Sequence, residues 1–448
     1  MIFYIIAFVL VLYSFFDFKK SFFLYLGFKL FLNQNVSLVS LPGIPTLTLD
    51  LVLTWFYFIL LVTLKKDYQK STDSFPLKNP MIMLLVSYFF SALFGISPFL
   101  AEIANYVKFI ADSIIIIWMI WQVVESEDDF SFIMNYFVWL FAFSILYAFY
   151  EYIISANPLI SYEQTLNYDT SKVVDNLYSA DGIRGYRVQS IFYHAIGAGM
   201  NWALFFFWLV SYQIKKMSRF SFFKIIVAIG CVICCFMTKC RSSYIFLAII
   251  SLGLIDFKSK RFYKFLPVLF LGICIILPFV SQYQDLLKTM VSVDAINSYN
   301  AGSSIDMRMK QFSSAMNLLI QRPLFGYGLK FLDYLSNSDT VQLLGLESVW
   351  LNVLTKLGML GALSYLVKLI YDVVIIPKKY SLNWLVFLGA AYWITYTFSS
   401  VPGFSIHLFY LIMFYYIKTS KVYQNKKASL RVNQLFFKEG KIIYRRKI

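Results

Sequence analysis

The sequence predicts an all-α integral membrane protein, a polytopic transmembrane helical bundle of about 11 to 13 spans with a large extracytoplasmic loop that contains an amphipathic helix. Three observations predict it. Apolar residues make up 59% of the chain and charged residues 14%, against about 45 to 50% and about 25% in a water-soluble domain. Apolar runs of membrane length recur almost from end to end. The basic residues, finally, segregate into alternate connecting segments. No composition shift marks a second domain, so 1–448 reads as a single membrane domain.

The candidate spans fall near 2–16, 21–32, 49–64, 81–97, 105–124, 130–154, 191–211, 220–239, 242–256, 262–281, 348–374, 382–400 and 404–417. Crossing the hydrocarbon takes about 20 residues, so the two short opening runs read as tilted spans, a re-entrant pair or half-helices shielded by neighbours. The first run does not read as a signal peptide. No basic segment precedes it, and Asp17-Phe18-Lys19-Lys20 follows where a cleavage site would need small residues.

Placing the tail in the cytoplasm puts 17–20, 65–80, 125–129, 212–224, 257–264, 375–381 and the basic tail 418–448 on one side. These segments hold 26 of the 40 Lys and Arg, and the opposite loops hold 10. Lys29, Lys108, Lys356 and Lys368 lie within spans. This is the positive-inside bias, and it predicts a multi-pass membrane protein with a cytoplasmic C-terminus. The net charge of +16 is therefore read as attraction to anionic lipid headgroups and not to nucleic acid. Cys231, Cys234, Cys235, Cys240 and Cys274 all lie in or beside spans, without a histidine or second cysteine pair at zinc-site spacing. Packing, with no metal and no disulfide, is the expectation.

Two outer loops are long enough for chemistry, 155–190 and 282–347. In the second, Ile305, Met309, Phe312, Met316 and Leu319 form an apolar stripe at helical spacing. Ser303 and Asp306 fit a cap at its start, and Pro323, Gly326 and Gly328 end it. The helix is expected to lie against the bundle or the bilayer surface.

An arginine in or beside hydrocarbon costs at least a few kcal/mol unless an anion or a wet cavity offsets it. Arg187 precedes a span, Arg241 interrupts two apolar runs and Arg308 lies in the large loop, all on the side that the charge bias leaves poor in cations. Convergent arginines suit phosphate, whose oxygens accept the planar fork bidentately. Snorkelling to headgroups, or pairing with Asp181 or Asp306, is the competing reading. His194 follows Arg187 by one to two helical turns and shares its surroundings, whereas His407 reads as a packing residue. Glu347 sits where the large loop re-enters the membrane, either capping its own helix or accepting a proton from a substrate hydroxyl.

At these residues the chain resembles the O-antigen polymerase and ligase superfamily (Wzy-type) of membrane glycosyltransferases. Arg187-Val188-Gln189-Ser190-Ile191-Phe192-Tyr193-His194 is similar to the family's arginine followed by F-x-H at a helix start. Thr238 to Ser243 is similar to its Thr-x-Ser-Arg segment, with Cys240 where serine is common. Arg308 opens a helix that leads to Arg322-Pro323-Leu324-Phe325-Gly326-Tyr327-Gly328, then to Glu347-Ser348-x-x-Leu351 and Gly358-x-x-Gly361. Ligases carry histidine where Glu347 stands, which tilts the resemblance toward the polymerase branch. The twin arginine and glycine motifs of some polymerases are absent.

The resemblance implies a metal-independent, inverting glycosyl transfer without cofactors. Undecaprenyl-diphosphate-linked repeat units of O-antigen, capsule or exopolysaccharide would be donor and acceptor, with a flippase and a chain-length regulator as partners. Arg187, Arg241 and Arg308 would hold the diphosphate, Glu347 would be the base, and Arg184, His194 and Arg322 would line the site. A ligase-type transfer to another acceptor is the alternative within the class. A lipid-linked glycan flippase or a membrane scaffold are the alternatives outside it; the sequence lacks the repeated halves common in transporters.

Overall fold

A computed structural model describes residues 1–32, 36–41, 44–64, 75–166, 186–216, 221–255, 305–331, 346, 348–398 and 406–425, with the backbone alone at 40–41, 44–46, 64, 164 and 305–308. The chain runs α1 (Ile2–Phe16), α2 (Phe18–Phe28), β1 (Ser37–Leu41), β2 (Ile44–Thr48), α3 (Leu49–Leu64), α4 (Lys78–Phe94), α5 (Phe99–Val123), α6 (Glu127–Ile154), α7 (Pro158–Thr165), α8 (Ala195–Lys216), α9 (Phe222–Met237), α10 (Arg241–Leu252), α11 (Ile305–Gln321), α12 (Val349–Lys379), α13 (Leu385–Phe398) and α14 (Ile406–Lys418). It is an all-α membrane fold. Among the described residues α5, α6, α8 and α12 are long and apolar enough to cross a bilayer, and the remaining apolar helices are shorter.

Most of the expected spans appear as helices at or near their expected places, while 262–281 lies outside the described residues. The two opening runs are separate helices broken at Asp17, whose side chain accepts the Lys20 N–H at 3.0 Å and so caps α2. The antiparallel β1–β2 hairpin was not expected.

The alternation of connecting segments is visible in the packing. Lys19 pairs with Asp129 at 3.2 Å, Lys215 donates to Thr419, and Tyr380 packs against Tyr423. Lys418 donates to the Trp121 and Val124 carbonyls, closing the C-terminal end of α5. All of these join segments assigned to one side. The opposite end joins 37 to 166, 151–157 to 186–190, and 95–102 to 327–330.

Charges inside the bundle have partners. Lys29 pairs with Asp50 and lies 3.8 Å from Asp112, which sits on a π-helical turn, Ile110–Ile115. Lys368 pairs with Asp372 at 3.4 Å, on a second π-helical turn, Tyr371–Ile375. The Asp372 carboxylate also accepts from Trp393 Nε1 at 3.1 Å and from the Tyr410 hydroxyl at 3.0 Å. His407 is buried in α14.

Helix α12 is not straight. Gly358 has φ 65° and ψ −159°, which interrupts it. Trp350 stacks 6.0 Å from the Trp393 ring, and Lys368 Nζ lies 4.9 Å from the same ring. On a continuous helix those two residues would be about 27 Å apart, more than their side chains can span to meet at one ring. The helix is therefore bent into two arms that both descend from Gly358 toward α13.

Candidate active site

Two junctions at the loop-bearing end position the sequence's candidate residues. The first is built around Glu151 of α6, which is fully buried. Its Oε1 accepts from the Tyr186 hydroxyl at 2.8 Å and the Gln189 N–H at 3.1 Å, and its Oε2 accepts from the Ser190 N–H at 2.5 Å. Ser190 has φ 54°, a left-handed conformation that costs a non-glycine residue energy. The bundle holds it there at every polar group. Its carbonyl accepts from Asn157 Nδ2 at 2.8 Å, and its hydroxyl donates to the Ser144 carbonyl at 2.6 Å.

This fixed segment carries Arg187 and runs against the turn between α9 and α10, where the Val188 N–H donates to the Met237 carbonyl at 3.3 Å. That turn holds Lys239, also left-handed at φ 50°, and ends in Arg241, the first residue of α10. Ser243 Oγ donates to the Ile196 carbonyl at 3.4 Å, and Gly199 lets α8 close onto Ser243 and Thr238.

His194 caps α8, since its Nδ1 accepts the Ile196 N–H at 3.1 Å and the ring proton is left on Nε2. Burial, reinforced by the Arg187 charge, lowers the His194 pKa to about 4 and leaves it neutral at pH 7. Burial and the same charge also lower the Lys239 pKa. Arg187 is thus within electrostatic reach of both His194 and Lys239, and Arg241 follows Lys239 by two residues in the chain. Cationic side chains in a poorly hydrated setting favour a polyanionic ligand.

The second junction is built around Glu102 of α5, also fully buried. Its Oε2 accepts the Leu329 N–H at 2.6 Å and its Oε1 the Lys330 N–H at 3.3 Å. The Pro323–Gly328 turn lies along the break in α12. The Met359 N–H donates to the Pro323 carbonyl at 2.8 Å and Leu360 to Leu324 at 3.2 Å, while Tyr327 and Gly328 donate to Thr355 and Lys356 at 2.9 and 3.1 Å. A helix broken at Gly358 leaves those groups without helical partners, and the turn supplies them. Only glycine fits at the crossing: a Cβ on Gly326 would lie 2.7 Å from Gly358 N, and one on Gly358 would lie 2.6 Å from the Leu324 carbonyl.

Arg322 serves this junction. Its Nη1 donates to the Phe94 carbonyl at 3.1 Å, and its guanidinium lies over the Tyr327 ring. Arg308 is within α11, but its side chain is outside the described residues, as are Arg184 and Glu347 entirely. The neighbours of position 347 are described: Leu346 and Val349 are buried. Val349 lines a small cleft together with Lys368, Tyr365, Tyr396 and Trp393. On α11 the expected stripe is partly outward. Met309, Phe312 and Ile320 are exposed, while Gln311 and Ala315 are buried.

Sequence reasoning missed Glu151 and Glu102. Both are isolated acids within predicted hydrophobic spans or at their edges, and that isolation is the signal that could have found them.

The fold and these junctions define a polytopic membrane protein with cationic side chains where loop segments meet one end of the bundle. Residues 225–366 match the family model described as O-antigen ligase (Wzy_C), in agreement with the O-antigen polymerase and ligase superfamily that the motifs resemble. The family points to a membrane glycosyltransferase-like enzyme of lipid-linked glycan processing. The matched segment contains Arg241, Arg308, Arg322, Glu347 and the Gly358–Gly361 pair; Arg187 and His194 precede it. No curated protein matches the chain.

Proposed function

We propose that the chain polymerises undecaprenyl-diphosphate-linked oligosaccharide repeat units at the outer face of the cytoplasmic membrane, with its C-terminus inside. The observation that carries this reading is the coupling of Arg187 to His194 and Lys239, in a segment that docks on the turn ending in Arg241. Arg187 and Arg241, with Arg308, hold the donor diphosphate and stabilise its charge as it leaves. Glu347 takes the proton of an acceptor sugar hydroxyl. The oxygen attacks the anomeric carbon opposite the diphosphate, the old carbon–oxygen bond breaks, and the lipid diphosphate departs with the electron pair, inverting the centre. In this reading the exposed stripe of α11 faces lipid, and a flippase and a chain-length regulator act beside the enzyme.

The test is Glu347→Gln at matched membrane abundance. The amide keeps an oxygen for helix capping but cannot accept the proton, and loss of a general base costs about 10²- to 10⁴-fold in rate. The expected product is single repeat units on the lipid carrier. A normal ladder of glycan lengths would end the catalytic assignment. The family description favours one second reading, a ligase, whose product would be glycan moved to a different acceptor with no change in repeat number.

A further inference from the structure

We propose that Glu151 is the positioning residue for Arg187: a buried carboxylate on α6 that sets the arginine's backbone in the one conformation that presents it to a lipid-linked diphosphate. The proposal rests on the diphosphate reading above. A carboxylate inside a membrane bundle is costly unless several donors meet it. Three of the donors that Glu151 meets come from 186–190, the segment that flanks Arg187 on both sides. Two are the consecutive N–H groups of Gln189 and Ser190, so the carboxylate fixes backbone direction and not merely a side chain. The left-handed Ser190, bound also through its carbonyl and hydroxyl, is a strained residue over-determined by its surroundings, a pattern that collects at functional sites. The same segment docks on the Arg241 turn through Val188, so its setting also fixes the relation between the two arginines.

Glutamine cannot replace Glu151. The carboxylate accepts on both oxygens, whereas an amide offers one acceptor and one NH₂ donor. In either orientation its NH₂ would face a Tyr186, Gln189 or Ser190 donor. The segment must then rotate, and Arg187 with it.

The experiment measures binding of undecaprenyl diphosphate to the full chain in nanodiscs, for wild type, Arg187→Gln, Glu151→Gln and the double variant, with ligand-free thermal melting as the folding control. Arg187→Gln and Glu151→Gln are each expected to weaken binding about tenfold or more, since one removes and the other misaligns a charge-assisted contact with the diphosphate. The double variant should bind no more weakly than Arg187→Gln, because one residue acts through the other. Glu151→Asp should recover part of the affinity. Tyr186→Phe, which removes a single donor, should weaken binding severalfold in the wild-type background and not in Arg187→Gln; these two variants decide the matter if Glu151→Gln does not fold.

Wild-type binding by Arg187→Gln would remove the diphosphate clamp and this proposal together. Weak binding by Arg187→Gln with wild-type binding by a folded Glu151→Gln would overturn the proposal alone. So would losses that multiply in the double variant, which would mark Glu151 as independently structural.

Discussion

The two junctions use the same device for different ends. In each, a fully buried glutamate accepts two consecutive backbone N–H groups from a returning loop segment: Glu151 those of Gln189 and Ser190, Glu102 those of Leu329 and Lys330. Around Glu151 the pinned segment carries Arg187 and abuts Lys239 and Arg241. Around Glu102 it carries glycines, and its arginine, Arg322, bonds to the Phe94 carbonyl. One junction presents side chains; the other closes a gap in a helix. Their tolerance to substitution should therefore differ in kind, chemistry mattering at the first and volume at the second.

The largest effect should come from adding a methyl group at the second junction. Gly358→Ala or Gly326→Ala places a side chain at φ 65° or 69° and against opposing backbone. Strain alone costs about 1–3 kcal/mol, and the overlap adds to it. Little folded protein is expected by fluorescence-detected size exclusion; wild-type melting would show that the helix break is not locked as described.

Next is a contrast between two arginines. Arg187→Lys keeps the charge but loses bidentate contact, and should cut polymer formation about tenfold or more with normal melting. Arg322→Lys should leave polymer length unchanged and lower stability by about 1 kcal/mol, through a lost hydrogen bond and a weaker contact with Tyr327. Equal losses of activity would erase the distinction between the junctions.

The smallest expected effect on chemistry is that of Glu102→Gln. It should cost about 1–3 kcal/mol in stability, because a buried donor loses its acceptor, while undecaprenyl diphosphate affinity stays within twofold. A selective loss of affinity with normal melting would give the second junction a binding role.

The bundle was legible because hydrophobicity and charge are local properties of a sequence. The apolar runs located α3, α4, α6, α8 and α9, the 4,3 spacing located α11, and the basic loops matched the pairing of Lys19, Lys215 and Lys418 at one end. The Pro-x-x-Gly-x-Gly stretch and Gly358 were visible as a resemblance, but their partnership across the break was not. Glu151 and Glu102 were passed over for a physical reason. Their partners are backbone N–H groups 38 and 227 residues away, and every residue but proline has such a group, so nothing in the sequence marks them. The β1–β2 hairpin did carry a signal, two short strand-like runs around Pro42-Gly43, but it is brief beside the apolar runs on either side.

The bend in α12 also sets how its first arm can move. With Pro323, Leu324, Tyr327 and Gly328 all bonded across the break, that point cannot slide along the bundle axis and acts as a pivot. From Gly358 to Val349 the arm is about 14 Å long, and its far end is held on α13, where Trp350 stacks on Trp393 and donates to Thr397 at 3.1 Å. Held at the pivot by the Pro323–Gly328 turn and at its far end by α13, the arm moves only together with both neighbours, so loosening either tie should shift it as one rigid piece.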